Sequence, residues 1–131
     1  ESGPKNFRTQ LGIMFEEFGE TLSVLAPSKP EDQMLIGYLQ TAITQASEHL
    51  KNSDGVIGIK DRVEFLDGIC DVMVTAVGLG RHAHMDVAGG FAEVNRSNNS
   101  KFGENGEPIL DKSLKLIKGP NYSKPDLKIF V

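Results

Sequence analysis

The 131 residues include 18 acidic and 14 basic side chains, giving a formal charge of −4. That balance argues against a duplex-DNA or RNA binder that neutralises phosphates over a broad surface, because such a protein needs clustered Lys and Arg. With 39% hydrophobic and 24% charged residues, the composition predicts one globular domain, residues 1–131, large enough to bury a core. Cys70 is the single cysteine, which excludes an intrachain disulfide and a multi-cysteine zinc site and points to the reducing cytoplasm. No apolar run approaches the roughly 20 residues of a bilayer span, and no basic-then-apolar leader is present, so no membrane partner is expected. Glu1-Ser2-Gly3-Pro4, polar and without Met, reads as a processing remnant and is left out of the fold reading.

The first predicted element covers about 5 to 25, where Phe7, Leu11, Phe15, Phe18, Leu22 and Leu25 recur at spacings of three and four, as on one apolar helix face. Pro27 stops it. The second begins at Ser28-Lys29-Pro30-Glu31, which reads as a capping box with Pro in the first turn. It runs through Leu35, Leu39, Ile43 and Ala46 to the breaker Asn52-Ser53-Asp54-Gly55. The third, from about Asp61 to Gly80, is rich in Val, Ile, Leu and Met; its length without turn signals predicts a buried helix and not a strand. Asp86 caps a fourth helix through about Asn98, and Gly103, Asn105, Gly106, Pro108, Gly119, Pro120 and Pro125 then mark an irregular C-terminal arm. Ile109, Leu114, Leu116 and Ile117, flanked by turn residues, suggest a short strand or hairpin within it. The expected fold is all-α, a bundle of about four helices with that arm.

Carboxylates among apolar residues carry the chemistry. At about 100° per residue, Glu64, Asp67 and Asp71 project within roughly 60° of one another on the third helix, among Phe65, Leu66, Ile69, Cys70, Val72 and Met73. A buried ionised carboxylate needs a cation or strong donors, and the helix has no basic residue between Arg62 and Arg81 to supply one. Glu16, Glu17 and Glu20 form a second cluster within roughly 100° on the first helix. Hard oxygen ligands of this kind suit magnesium or manganese, and facing carboxylates are a recurrent metal site in helical bundles. The bland alternative for Glu-Glu-x-x-Glu is a solvated helix face.

Glu93-Val94-Asn95-Arg96-Ser97-Asn98-Asn99-Ser100-Lys101 concentrates donors suited to phosphate oxygens or a base edge, or forms an ordinary polar helix end. In Lys118-Gly119-Pro120-Asn121-Tyr122, the Tyr122 ring either stacks on a base or pins the arm. His49, His82 and His84 show no ligand spacing and are expected at the surface. Cys70, with no basic neighbour in sequence to lower its pKa, is expected to be a small core residue.

Glu16-Glu17-x-x-Glu20 followed by Glu64-x-x-Asp67-x-x-x-Asp71 on an apolar helix resembles the all-α nucleoside triphosphate pyrophosphohydrolases, the MazG and phosphoribosyl-ATP pyrophosphohydrolase-like superfamily. Three further stretches are similar to MazG-like proteins of bacteriophages and some bacteria. They are Glu93-Val94-Asn95-Arg96-Ser97-Asn98-x-Ser100-Lys101-Phe102, Gly106-x-Pro108-Ile109, and Lys118-Gly119-Pro120-x-Tyr122-x-x-Pro125-Asp126-Leu127. The resemblance implies Mg2+- or Mn2+-dependent hydrolysis of a ribo- or deoxynucleoside triphosphate to monophosphate and pyrophosphate, with purines, guanine first, as the trial substrates. It implies that Glu17 and Glu20 match the Glu-x-x-Glu ligands and Asp71 the Asp closing the Glu-x-x-Asp motif. Gly68 stands where that motif has Glu, so either Asp67 supplies the carboxylate or Glu64-x-x-Asp67 is itself the motif. Glu16 or Glu17 is the candidate general base. Asn98 and Lys101 match nucleotide-contacting residues, with Asn95, Arg96 and Lys118 as further candidates. The resemblance also implies a homodimer or homotetramer, in the bacterial host cytoplasm if the chain is phage-encoded. The rival readings are a phosphatase cutting the terminal phosphate and a non-catalytic nucleotide- or partner-binding module with a structural cation site.

Overall fold

The computed structural model describes residues 4–103, 105–110 and 117–131, with side chains from Asn6 onward. Four α-helices appear in chain order: α1 (Pro4–Ser23), α2 (Pro30–Asn52), α3 (Arg62–His82) and α4 (Val87–Asn99), followed by a 3-10 turn at Lys128–Phe130. The all-α expectation holds, and no strand occurs among the described residues. The suggested hairpin falls mainly on residues 111–116, outside the described residues; at its flank the Ile117 amide donates to the Ile109 carbonyl at 2.9 Å. The chain divides into two compact units, Glu1–Lys60 and Asp61–Val131.

In the first unit α1 and α2 form an antiparallel pair. They approach through small residues. A Cβ on Gly12 would stand 2.8 Å from Lys51 Cγ and 3.0 Å from the Ser47 carbonyl oxygen, and one on Gly19 would stand 3.3 Å from Ile43. Ser47, only 2% exposed, donates from Oγ to the Gly12 carbonyl at 2.8 Å. The contact face of α1 therefore runs through Arg8, Gly12 and Gly19, while Phe18 and, on α2, Leu35 and Leu39 remain exposed. Arg8 is buried and donates from Nη2 to Ser53 Oγ at 2.6 Å. The expected capping box is absent: Lys29 occupies the N-cap of α2 without a side-chain bond, and Pro30 opens the helix. Proline at that position lacks an N–H that would be orphaned anyway.

In the second unit Asp61 caps α3, its Oδ1 accepting from the amides of Val63 at 2.8 Å and Glu64 at 3.1 Å. Asp86 caps α4, accepting from the Gly89 amide at 3.0 Å. The end of α3 is a Schellman turn in which the His84 amide donates to the Arg81 carbonyl and the Met85 amide to that of Gly80, each at 3.0 Å. His84 takes the left-handed position, φ 63°, where glycine is usual. The arm then lies along α4. The Asp86 amide donates to the Phe130 carbonyl at 2.8 Å, and the Ser123 amide to Ser100 Oγ at 2.9 Å.

Two expectations about α3 are overturned. None of its residues is buried, Cys70 included, and no hydrophobic side chain in the described residues is fully withdrawn from solvent. Periodicity identifies the helix correctly but carries no information about which chain, if any, covers it.

Candidate functional site

α1 and α2 enclose an open cleft of about 360 Å³, lined among others by Phe15, Glu16, Glu20, Gln40, Glu48 and Lys51. Glu16 and Glu20 are one helical turn apart, so both reach the same wall. Glu17, about 100° round the helix, is not part of the lining. Lys51 crosses from α2 to Glu16, Nζ to Oε1 at 2.8 Å, because the Gly12 approach brings the Lys51 stem against α1. Glu48, one turn before Lys51, adds a third carboxylate to the lining. Sequence reasoning missed Glu48 and Lys51. Their i,i+3 spacing on one face of the second helix was a visible signal, though the face itself was assigned to Leu35, Leu39, Ile43 and Ala46.

On α3, Glu64, Asp67 and Asp71 are all exposed. Desolvation therefore does not oblige these acids to find a cation, which removes the burial premise on which they stood out in the sequence. Their donor set is still wholly oxygen and suits Mg2+ or Mn2+ in chemistry, as does the Glu16–Glu20 pair. Among the described residues, no three His, Cys, Asp or Glu side chains converge to hold a metal ion. His49, His82 and His84 lie at the surface as expected.

The C-terminal donors satisfy one another. Arg96 grips Glu93 with two bonds of 2.7 Å and also donates from Nη2 to the Lys124 carbonyl at 3.0 Å. Glu93 Oε1 accepts in addition from the Asp126 amide at 2.9 Å. These bonds from Arg96 and the Asp126 amide hold the Glu93 carboxyl down at about 2, and the same pairing raises Arg96. Glu93 and Arg96 thus tie the arm to α4. Lys101 Nζ donates to Asn98 Oδ1 at 2.8 Å, while Lys118 stands 4.6 Å over the Tyr122 ring, within cation–π range. Asn95 is exposed on α4. The structure accordingly groups Glu16 with Glu20, Glu93 with Arg96, Asn98 with Lys101, and Lys118 with Tyr122. No protein-family profile, curated protein or solved structure matches the chain.

Proposed function

We propose that the protein is a metal-dependent nucleoside triphosphate pyrophosphohydrolase, releasing the monophosphate and pyrophosphate from a ribo- or deoxynucleoside triphosphate, purines first. The observation that carries this reading is the pair Glu16 and Glu20, one turn apart on the wall of an open cleft with Lys51 beside them. The resemblance of the acidic helices and of the Asn98–Lys101 segment supports it. Glu17 and Glu20 on α1 are proposed ligands for Mg2+ or Mn2+, and Glu64, Asp67 and Asp71 on α3 are proposed as a set of their own. When bound, such a cation neutralises the triphosphate and lowers the pKa of a coordinated water.

Glu16 or Glu17 takes the proton of the attacking water. Glu16 Oε1 is already engaged by Lys51, which orients the carboxylate. Water adds its oxygen to the α-phosphorus as the bond to the α,β-bridging oxygen breaks, and pyrophosphate leaves. Lys101 exchanges its bond to Asn98 for a phosphate oxygen, Asn95, Arg96 and Lys118 supply further donors, and the Tyr122 ring offers a stacking face. The site belongs to a homodimer or homotetramer.

Incubation with each ribo- and deoxynucleoside triphosphate, with Mg2+, Mn2+ or chelator, followed by anion-exchange product analysis, tests the proposal. Monophosphate plus pyrophosphate, abolished by chelator, is expected. Diphosphate plus orthophosphate would move the cut to the terminal bond, and no turnover would leave a binding module.

A further inference from the structure

Among the described residues, Lys51 is the one basic side chain lining the α1–α2 cleft, against the carboxylates of Glu16, Glu20 and Glu48. Its ammonium is engaged by Glu16, Nζ to Oε1 at 2.8 Å, with the lysine side chain 25% exposed and the glutamate 44%. Glu20 and Glu48 have no ion-pair partner among the described residues.

An exposed lysine on a free stem would sample all three acids, because its long side chain gives up entropy to hold any one geometry. Lys51 is constrained. A Cβ on Gly12 would stand 2.8 Å from Lys51 Cγ, so the stem lies against the backbone of α1. Ser47, one turn earlier on α2 and 2% exposed, locks the same contact by donating to the Gly12 carbonyl at 2.8 Å. Gly12, Glu16 and Glu20 are successive turns of α1. A stem laid on Gly12 therefore delivers its ammonium at Glu16, on the wall where the proposed cation ligand Glu20 stands. A divalent cation arriving at Glu20 meets a fixed like charge within the same cleft, closer than the roughly 8–10 Å over which salt screens it. The same ammonium has three donors, which phosphate oxygens accept well.

We propose that Lys51 is a built-in counter-ion that competes with the divalent cation at the Glu16–Glu20 wall, and that a triphosphate relieves the competition by accepting the ammonium's hydrogen bonds. Cation affinity is then low in the empty cleft and rises with nucleotide bound, and by linkage the cation favours nucleotide equally. The inference rests on the proposed function for its ligands, but its test reads binding by the full chain and not turnover, so the two fail separately.

Mg2+ titrations are followed by NMR at the amides of Gly19 and Thr44, both of which line the cleft. Lys51→Met keeps the stem and removes the charge, and its midpoint is expected at about tenfold lower Mg2+ than in the unaltered chain. Lys51→Arg keeps the charge and is expected to stay within about twofold of the unaltered chain. With Mg2+ saturating, a non-hydrolysable α,β-methylene nucleoside triphosphate is expected to bind Lys51→Met about tenfold more weakly by calorimetry. A loosened cleft would weaken both ligands, so the opposite signs carry the assignment. Equal midpoints in Lys51→Met and the unaltered chain, or amides that do not respond to Mg2+, would overturn the competition. Unchanged affinity for the analogue would overturn the transfer to phosphate. Tighter Mg2+ binding by Lys51→Met, in a protein that releases no pyrophosphate, would uphold the counter-ion and remove the proposed reaction. Should Lys51→Met fail to fold, Lys51→Gln, which keeps a polar head against Glu16, carries the same expectations.

Discussion

At the scale of single residues, close approaches decide which substitutions the fold tolerates. Gly89 sits where a Cβ would stand 2.5 Å from both the Phe130 ring and Asp86 Oδ2. Gly89→Ala is expected to displace the C-terminal turn and destabilise the chain by about 1–3 kcal/mol, the usual cost of overpacking, measurable by urea unfolding. His84 presents the converse case. Its side chain occupies a left-handed position, φ 63°, that costs an L-residue roughly 1–2 kcal/mol, partly offset in a His84→Gly variant by the greater entropy of unfolded glycine. A net gain of about 0.5–1 kcal/mol is expected in the same experiment, and a loss would assign the histidine side chain a contact of its own. In the proposed site, Glu20→Gln or Asp71→Asn should remove divalent-cation affinity and turnover together while leaving the helical circular dichroism unchanged, since both side chains are exposed. Full turnover in either variant would move the site elsewhere.

At the scale of elements, the legible features were those written locally. The Asp86 cap lies within three residues of the amide it serves, and the breaker after Asn52 ends α2 as the sequence indicates, whereas Asp61, read as the start of the third helix, proves to be its cap. Ser28-Lys29-Pro30-Glu31 misleads because a capping motif constrains only a few dihedrals, and the chain here satisfies the same helix start with proline alone. The large apolar side chains of α1 suggested the packing face, but Gly12 and Gly19 permit a closer approach and take it. The donors of the arm were recognised, yet their mutual pairing was not, because Glu93 meets Asp126 across a long sequence separation. That pairing gives the arm a pH dependence. The Glu93 carboxyl is depressed from 4.5 to about 2 in the folded chain, so its contribution is complete above about pH 4.5 and is lost as pH falls toward 2. Protection of the Asp126 amide from hydrogen exchange should decline over that window, and Glu93→Gln should abolish the dependence.

At the scale of the whole molecule, the described residues contain no fully buried hydrophobic side chain, although 39% of the sequence is hydrophobic. A chain of this length that folded alone would bury well over half the surface its unfolded form exposes, and hydrophobic burial is what offsets the conformational entropy of ordering it. In the proposed homodimer or homotetramer, association adds burial, and the exposed apolar side chains of α3 are a surface able to supply it. Stability then depends on chain concentration, because only the folded chain binds its partner. A hundredfold dilution should remove about 2.7 kcal/mol per dimer, which lowers Tm by several degrees in a protein of this size. Replacing Val77 by Lys, on the exposed apolar surface of α3, should lower Tm at high concentration and flatten its concentration dependence. A Tm that is the same at all concentrations in the unaltered chain would show that folding is complete within one copy, and α3 would then owe its apolar surface to some other partner.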